Sequence, residues 1–430
     1  MDPSIIALIG IVVMLLLMFL KMPISFTMFV VGFTGVLIFA SPGAAFNLLQ
    51  AELWNQFSSY SLSIIPLYIL MGEIIFRSGI TEKLFVAAYK WFGHLRGGMA
   101  GTTVLASSGF AAICGSNSAT AATMSTIALP ELKKYKYDQA LSTGSVAAGG
   151  TLGIIIPPST VLIVIAIQTQ QSVRQLFAAT IIPGVMLMLL FLATISYLCM
   201  RNPELGPAGP KTPFKEKVLS LKGVIPVFLL FFFVVGGLFK GWFTPTESGA
   251  FGSLGAIILA LSMRKLTWEN LRLSIASTLR SSAMVILLIV AAMVFGRFLT
   301  LTRLPFAVAE WVVKLPIPPS AVLIIIFLIF VIGGSLMDAL GFLIIAIPIF
   351  YPTVMALGYD PIWFAIVLNI VTSMGAITPP VGVNVFVVQG LSGGVAMSTV
   401  FRGAMYFLAP YVLLIALLIV LPQIVLFVVK

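Results

Sequence analysis

The sequence predicts an all-α polytopic membrane protein with about ten transmembrane helices plus two re-entrant hairpins in an inverted repeat. Three observations predict it. Of 430 residues, 60% are apolar and 9% charged, roughly a third of the charge of an average soluble protein. Apolar runs of about 17 residues or more, the length that spans a hydrocarbon core, recur from one end to the other. Two double prolines stand at matched positions in the two halves, each behind a glycine-flanked polar tip. This composition excludes a soluble enzyme and a secreted disulfide scaffold. It also excludes a nucleic-acid binder, despite a net charge of +11.

In chain order, full crossings are predicted at 4–20, 22–40, 60–76, 138–172, 176–200, 223–240, 247–263, 278–298, 360–391 and 403–428. The start, Met1-Asp2, has no basic stretch and no small-residue cleavage site, so 4–20 is expected to be a first span rather than a signal peptide. With the N-terminus outside, 18 of the 24 Lys and Arg fall inside, leaving Arg174, Lys240, Arg297, Arg303, Lys314 and Lys430 outside. That bias fixes the orientation and makes the net charge mostly a topology signal. The stretches 80–93 and 303–314, each charged and carrying one Trp, fit helices lying along the interface.

The hydrophilic loop 201–222 divides the chain near its middle. The resulting division is 1–59 as N-terminal scaffold helices and 60–172 as a first repeat of scaffold helix, arm, hairpin and broken helix. Further scaffold helices occupy 173–277, a second such repeat 278–391, and a C-terminal helix 392–430.

Two apolar stretches, 97–130 and 317–357, do not fit as single spans. Each holds a polar tip: Gly115-Ser116-Asn117-Ser118 in the first, Gly333-Gly334-Ser335-Leu336-Met337-Asp338 in the second. Basic residues flank the first, so it is expected to enter from the cytoplasm. The second has no positive cluster after it and is expected to enter from outside. Behind each tip comes the double proline. Tyr137-Asp138 and Tyr359-Asp360 precede Pro157-Pro158 and Pro379-Pro380 by the same 19 residues from the aspartate, and the offset of 222 also pairs Gly153 with Gly375. Irregular backbone at membrane depth is tolerated only where it is buried in protein or lines a wet cavity. Paired interrupted segments in two halves point to a transporter binding site, with half-helix N-termini suited to an anion and freed carbonyls to a cation.

Among single residues, Asp338 is the sharpest. It lies mid-stretch with no basic residue between Lys314 and Arg402, and an intramembrane carboxylate marks a functional site. Ser116, Asn117 and Ser118 supply neutral oxygens that replace the water of a sodium ion, although small polar residues also join membrane helices. Glu73 pairs by spacing with Arg77, and Glu247 stands where a carboxylate caps a helix. External Lys240, Arg297, Arg303 and Lys314 are placed to attract an acidic protein or ligand, or are surface scatter. Cys114 and Cys199 read as buried small residues, and a single histidine, His94, leaves no four-ligand zinc site.

Four segments carry a family resemblance: Gly115-Ser-Asn-Ser-Ala-Thr120, Gly149-Gly-Thr-Leu-Gly-Ile-Ile-Ile-Pro-Pro-Ser159, Gly241-Trp-Phe-Thr-Pro-Thr-Glu-Ser-Gly-Ala250 and Gly375-Ala-Ile-Thr-Pro-Pro-Val-Gly382. Through them the whole chain resembles the large membrane (M) subunit of tripartite ATP-independent periplasmic (TRAP) transporters, within the ion transporter superfamily. The resemblance implies an elevator-type, Na⁺-coupled importer of organic acids in a bacterial inner membrane. The energetics of charge movement call for two or more Na⁺, since one only cancels a monovalent anion. It also implies a small membrane (Q) subunit, expected as a separate chain, and a periplasmic substrate-binding (P) protein.

Overall similarity looks closest to members that carry sialic acid. By matching motif, a first Na⁺ site would use Ser116, Asn117 and Ser118 with Gly150 and Gly153. A second would use Gly334 and Asp338 with Gly375 and Thr378. The substrate would meet Asn117, Ser159, Asp338, Thr378 and Pro379. The alternative is a stand-alone sodium/C4-dicarboxylate symporter without a binding protein. A channel is disfavoured by the inverted repeat, and no nucleophile–base or metal cluster suggests an enzyme.

Overall fold

Residues 3–314 and 316–429 are described by the computed structural model, so Met1, Asp2 and Lys430 of the sequence reading lie outside the described residues. Helices Pro3–Phe19 and Ile24–Phe39 are followed by a surface helix, Pro42–Phe57, and then by Ile64–Arg77 and a first arm, Ile80–Phe92. The first hairpin has legs Gly98–Cys114 and Asn117–Lys134, and the first broken helix has halves Gln139–Thr151 and Thr160–Thr169. A long helix, Val173–Arg201, leads to the hydrophilic loop with its short helix Phe214–Leu221. Ile225–Phe239, Pro245–Ser262 and the long Trp268–Leu301 lead to a second arm, Leu304–Val313. Then come the second hairpin, Pro319–Leu336 and Ala339–Ala356, and the second broken helix, Pro361–Gly375 and Val383–Leu391. Met397–Met405, Leu408–Val420 and Gln423–Leu426 close the chain.

Two aspartates begin the broken helices in the same way. The Asp138 carboxylate accepts from the Leu141 amide at 2.9 Å, and that of Asp360 from Ile362 and Trp363 at 2.9 Å each. Each takes up amides that a helix start leaves free. Asp360→Ala is expected to cost about 1 kcal/mol, seen as a lower melting temperature in detergent, while Asp360→Asn stays near wild type.

The helices form two packed groups. The hairpin legs pack on the broken helices of their own repeat: Gly98–Cys114 and Asn117–Lys134 on Gln139–Thr151, Pro319–Leu336 on Pro361–Gly375. Val383–Leu391 crosses to the first hairpin, and Ala339–Ala356 packs on Thr160–Thr169, so the two repeats interlock. Around this central unit stands a frame in which Trp268–Leu301 packs on Ile24–Phe39 and Ile64–Arg77, and Pro245–Ser262 on Ile64–Arg77. Val173–Arg201, read from sequence as scaffold, packs against Gly98–Cys114, Pro361–Gly375 and Leu408–Val420 and so lies with the central unit. Its Phe191 sits edge-on to Phe407 and Tyr411, with ring centroids 5.3 and 5.6 Å away.

Several expectations need correction. The crossing predicted at 278–298 lies within a longer, 34-residue helix that starts at Trp268, where Thr267 accepts from the Asn270 amide. The last span, predicted as 403–428, lies earlier, at Met397–Val420, with a break after Met405 and a short separate helix, Gln423–Leu426, behind it. Pro410 and Pro422 have no N–H to bond back to Tyr406 and Leu418, so the chain restarts at Leu408 and again at Gln423. The second hairpin turns at Met337-Asp338, within the tip read from sequence, while Gly333 and Gly334 lie in the last turn of Pro319–Leu336. The surface helix Pro42–Phe57 was not foreseen, although Ser41-Pro42, a capping residue before a proline, announces it. Six helical stretches among the described residues are long and apolar enough to cross a membrane alone, and others, such as Pro3–Phe19 and Ile24–Phe39, are slightly shorter.

Candidate functional site

At the first tip, Gly115 ends its helix with φ +65°, a left-handed conformation that glycine adopts without strain. Its carbonyl accepts from the Thr160 hydroxyl at 2.9 Å and the Thr160 amide at 3.4 Å. The tip is thereby fastened to the break of the first broken helix. Ser116 caps the next leg, and its hydroxyl lies 3.4 Å from that of Ser118. The Asn117 side-chain oxygen accepts from the Ser118 amide at 2.8 Å, while its Nδ2 is buried without a partner. Gly153 presses on the same place: a Cβ there would overlap the Ser116 carbonyl and come within 2.8 Å of Thr120 Oγ1. A Cβ on Gly150 would stand 2.7 Å from that of Ala121.

The second tip repeats the arrangement. The Gly382 amide donates to the Ser335 carbonyl at 2.8 Å, and Gly382 is the offset-222 counterpart of Thr160. Gly375 and Gly334 meet backbone to backbone, since a Cβ on Gly375 would fall 2.6 Å from the Gly334 carbonyl carbon. Both double prolines hold a cis peptide bond. Asp338 accepts from the Leu340 amide at 3.1 Å and caps Ala339–Ala356. Thr378 donates its hydroxyl to the Met374 carbonyl at 2.7 Å.

The two breaks differ in access. Pro157, Pro158 and Ser159 are buried, whereas Asp338, Pro379 and Pro380 are exposed. Ser159 is turned inward, its hydroxyl donating to the Ile154 carbonyl at 2.9 Å, which separates it from the open group Asp338, Thr378 and Pro379.

Two residues that sequence reasoning passed over tie the breaks together. Asn369 donates to the Ile154 carbonyl at 2.7 Å, and Asn384 to the Ala147 carbonyl at 3.1 Å. Each keeps a buried Oδ1 without a partner. Their signal was an amide alone in an apolar stretch, which carries no spacing pattern. At this centre four helix halves begin and four end, so N-termini that favour an anion and C-termini that favour a cation converge.

Other predicted residues serve the frame. Glu73 pairs with Arg77 at 3.3 Å. Glu247 and Thr244 form a reciprocal capping box at the start of Pro245–Ser262. Arg297 is not a free external cation: it pairs with buried Glu52 at 2.8 Å, from the surface helix. Lys240 lies over the Trp242 ring at 5.1 Å.

The family described as "Tripartite ATP-independent periplasmic transporter, DctM component" matches residues 11–424. The C4-dicarboxylate TRAP transporter large permease protein DctM of Pseudomonas aeruginosa is 34% identical over 377 residues, covering 86% of each chain. The sialic acid TRAP transporter large permease protein SiaM of Vibrio cholerae is 28% identical over 408 residues, 95% of this chain and 94% of that one. Among solved structures, the YdaH transporter of Alcanivorax borkumensis superposes with a TM-score of 0.63 at 14% identity, over 90% of this chain and 91% of its own. MtrF of Neisseria gonorrhoeae gives 0.59 at 15%, over 88% and 85%. These two likenesses concern the fold.

Proposed function

This chain belongs to the DctM component family of the tripartite ATP-independent periplasmic transporters, and from that premise we propose that it carries a small organic acid anion inward with Na⁺ by an elevator motion. It is an integral inner-membrane permease and not an enzyme. The observation that carries the proposal is the pair of matched clamps, Thr160 on Gly115 and Gly382 on Ser335. They hold each hairpin tip against an unwound helix, which supports a reading with two equivalent places for a cation and, between them, one for an anion. The first Na⁺ would be held by Ser116, Asn117 and Ser118 with backbone near Gly150 and Gly153. The second would be held by Asp338 and Thr378 with backbone near Gly334 and Gly375. The moving part would be the central unit and the frame its support.

Moving one charge through 100 mV is worth about 2.3 kcal/mol. One Na⁺ only cancels a monovalent anion, and two carry a net positive charge inward. A dianion would need a third for the same drive. Relatives named for sialic acid and for C4-dicarboxylates both match along most of the chain, so both are candidate substrates, with sialic acid our first choice. A small membrane subunit and a periplasmic binding protein complete the proposed system. The stand-alone symporter is not favoured, because the family itself is described as tripartite.

The test is uptake of labelled sialic acid and of a labelled C4-dicarboxylate into proteoliposomes holding this chain and its small subunit. Each is run with and without a Na⁺ gradient and with and without the binding protein. Uptake of either acid that needs both supports the proposal. Uptake that ignores the binding protein would favour the symporter, and uptake that ignores Na⁺ would sink the coupling.

A further inference from the structure

Between the frame and the central unit runs a crevice of about 710 Å³. One wall is the length of Ile225–Phe239 together with the first arm. The other is the hairpin leg Gly98–Cys114, the long helix Val173–Arg201 and the covered break at Ile156-Pro157. Its lining is Leu, Ile, Val, Phe, Ala and Met almost throughout, and the Ser108 hydroxyl within it is already used, donating to the Leu105 carbonyl at 2.7 Å. An apolar space of this size does not hold ordered water. Phe228 and Phe232 line it yet are 45% and 66% exposed, so it opens sideways to the bilayer. The straight part of the wall, Ile225–Phe239, runs about 21 Å at 1.5 Å per residue, roughly two-thirds of the hydrocarbon core, and a 47° bend sets Phe214–Leu221 across its end.

The cytoplasmic mouth is charged. Lys217 lies with its Nζ 5.9 Å from the Trp91 ring, and the Trp91 indole donates to the Lys217 carbonyl at 3.1 Å. The stem of Lys83 covers Gly223, where a Cβ would come within 3.1 Å of it. Lys215 and Lys222 are exposed beside them, and Lys90 is paired with Glu216 at 3.4 Å. Five lysines face two carboxylates there, Glu82 and Glu216, which leaves a surplus of three positive charges. A tryptophan at the interface beside a lysine cluster on the cytoplasmic side matches an anionic lipid headgroup.

We infer that this crevice is a binding site for one anionic phospholipid of the cytoplasmic leaflet. Its headgroup sits on Lys83, Lys217 and Lys222, and an acyl chain runs up the seam to Pro157. A flexible chain in that position fills the space between two groups of helices without locking them. The site stands independently of which acid is carried.

The experiment is native mass spectrometry of the chain with its small subunit, equilibrated with mixed phosphatidylglycerol and phosphatidylcholine. One phosphatidylglycerol per chain is expected to be retained, about tenfold over phosphatidylcholine. Gly109→Leu projects into the crevice from a position where a Cβ touches only Leu84 at 3.8 Å, and should lower retention of both lipids about tenfold. Lys217→Gln with Lys222→Gln should abolish the headgroup preference while leaving weak retention of both. This pair decides the matter if Gly109→Leu fails to fold.

Excess inorganic phosphate should leave the lipid in place. Displacement by phosphate would overturn the lipid assignment, as would equal retention of the two lipids by wild type or unchanged retention in Gly109→Leu. Retention that appears only when the small subunit is removed would make the crevice the seat of a partner helix and would equally overturn it.

Discussion

Gly153→Ala is expected to reduce Na⁺-driven uptake about 100-fold, the scale on which a displacement of about 1 Å disables a positioned site. A methyl group at Gly153 would overlap the Ser116 carbonyl and crowd Thr120 Oγ1 at 2.8 Å. The obstacle is backbone, so no rotamer relieves it; the tip must move away from the break. Overpacking of this kind costs about 1–3 kcal/mol, which lowers the melting temperature without preventing insertion. Gly375→Ala should act alike on the second tip, where the Val331 carbonyl oxygen would be 2.7 Å and the Gly334 Cα 2.8 Å from the new methyl. Gly101→Ala is the control, since its Cβ would meet only Leu192 at 3.4 Å, and it should transport normally. Wild-type Na⁺ half-saturation in both Gly153→Ala and Gly375→Ala would remove the clamped tips from the mechanism.

Much of this arrangement is legible in the sequence because its signals are local. Gly115 can be placed because a helix stop with a left-handed residue selects glycine, and Pro157-Pro158 and Pro379-Pro380 because no helix runs through them. The aspartates at 138 and 360 announce the broken helices by the ordinary preference for a cap. At the second tip the sequence marks the segment 333–338 but not the residue at which it turns. Gly333-Gly334 looks like a bend, yet in the fold Gly334 is there so that the helix can approach Thr372 and Gly375. Glycine as a breaker and glycine as a close-packing residue are identical in a string of letters.

Pairings across the chain were beyond reach for a different reason. Glu52 and Arg297 are 245 residues apart, Asn369 and Ile154 215, and Asn384 and Ala147 237. Nothing in either neighbourhood names its partner. Each link is set by how the two repeats interlock, which is a property of the packed helices rather than of any segment.

Asp338 offers the sharpest test, because it has a structural duty that can be separated from an electrostatic one. Its carboxylate caps Ala339–Ala356 through the Leu340 amide, and asparagine caps a helix about as well as aspartate. Asp338→Asn should therefore melt like wild type while its half-saturating Na⁺ concentration rises about tenfold, an energy of about 1.4 kcal/mol. Asp338→Ala should show the same Na⁺ defect and lose about 1 kcal/mol of stability besides.

A second consequence has the opposite sign. A bare carboxylate near an anionic substrate repels it until a cation arrives, so without Na⁺ the wild-type protein should bind its acid poorly and Asp338→Asn should bind it better. Calorimetric titration of the acid in Na⁺-free buffer measures this directly. If Asp338→Asn keeps wild-type Na⁺ dependence in uptake and gains nothing in Na⁺-free binding, Asp338 is a helix cap alone. The cation of the second tip must then be sought among the carbonyls around Gly334 and Gly375 and the hydroxyl of Thr378.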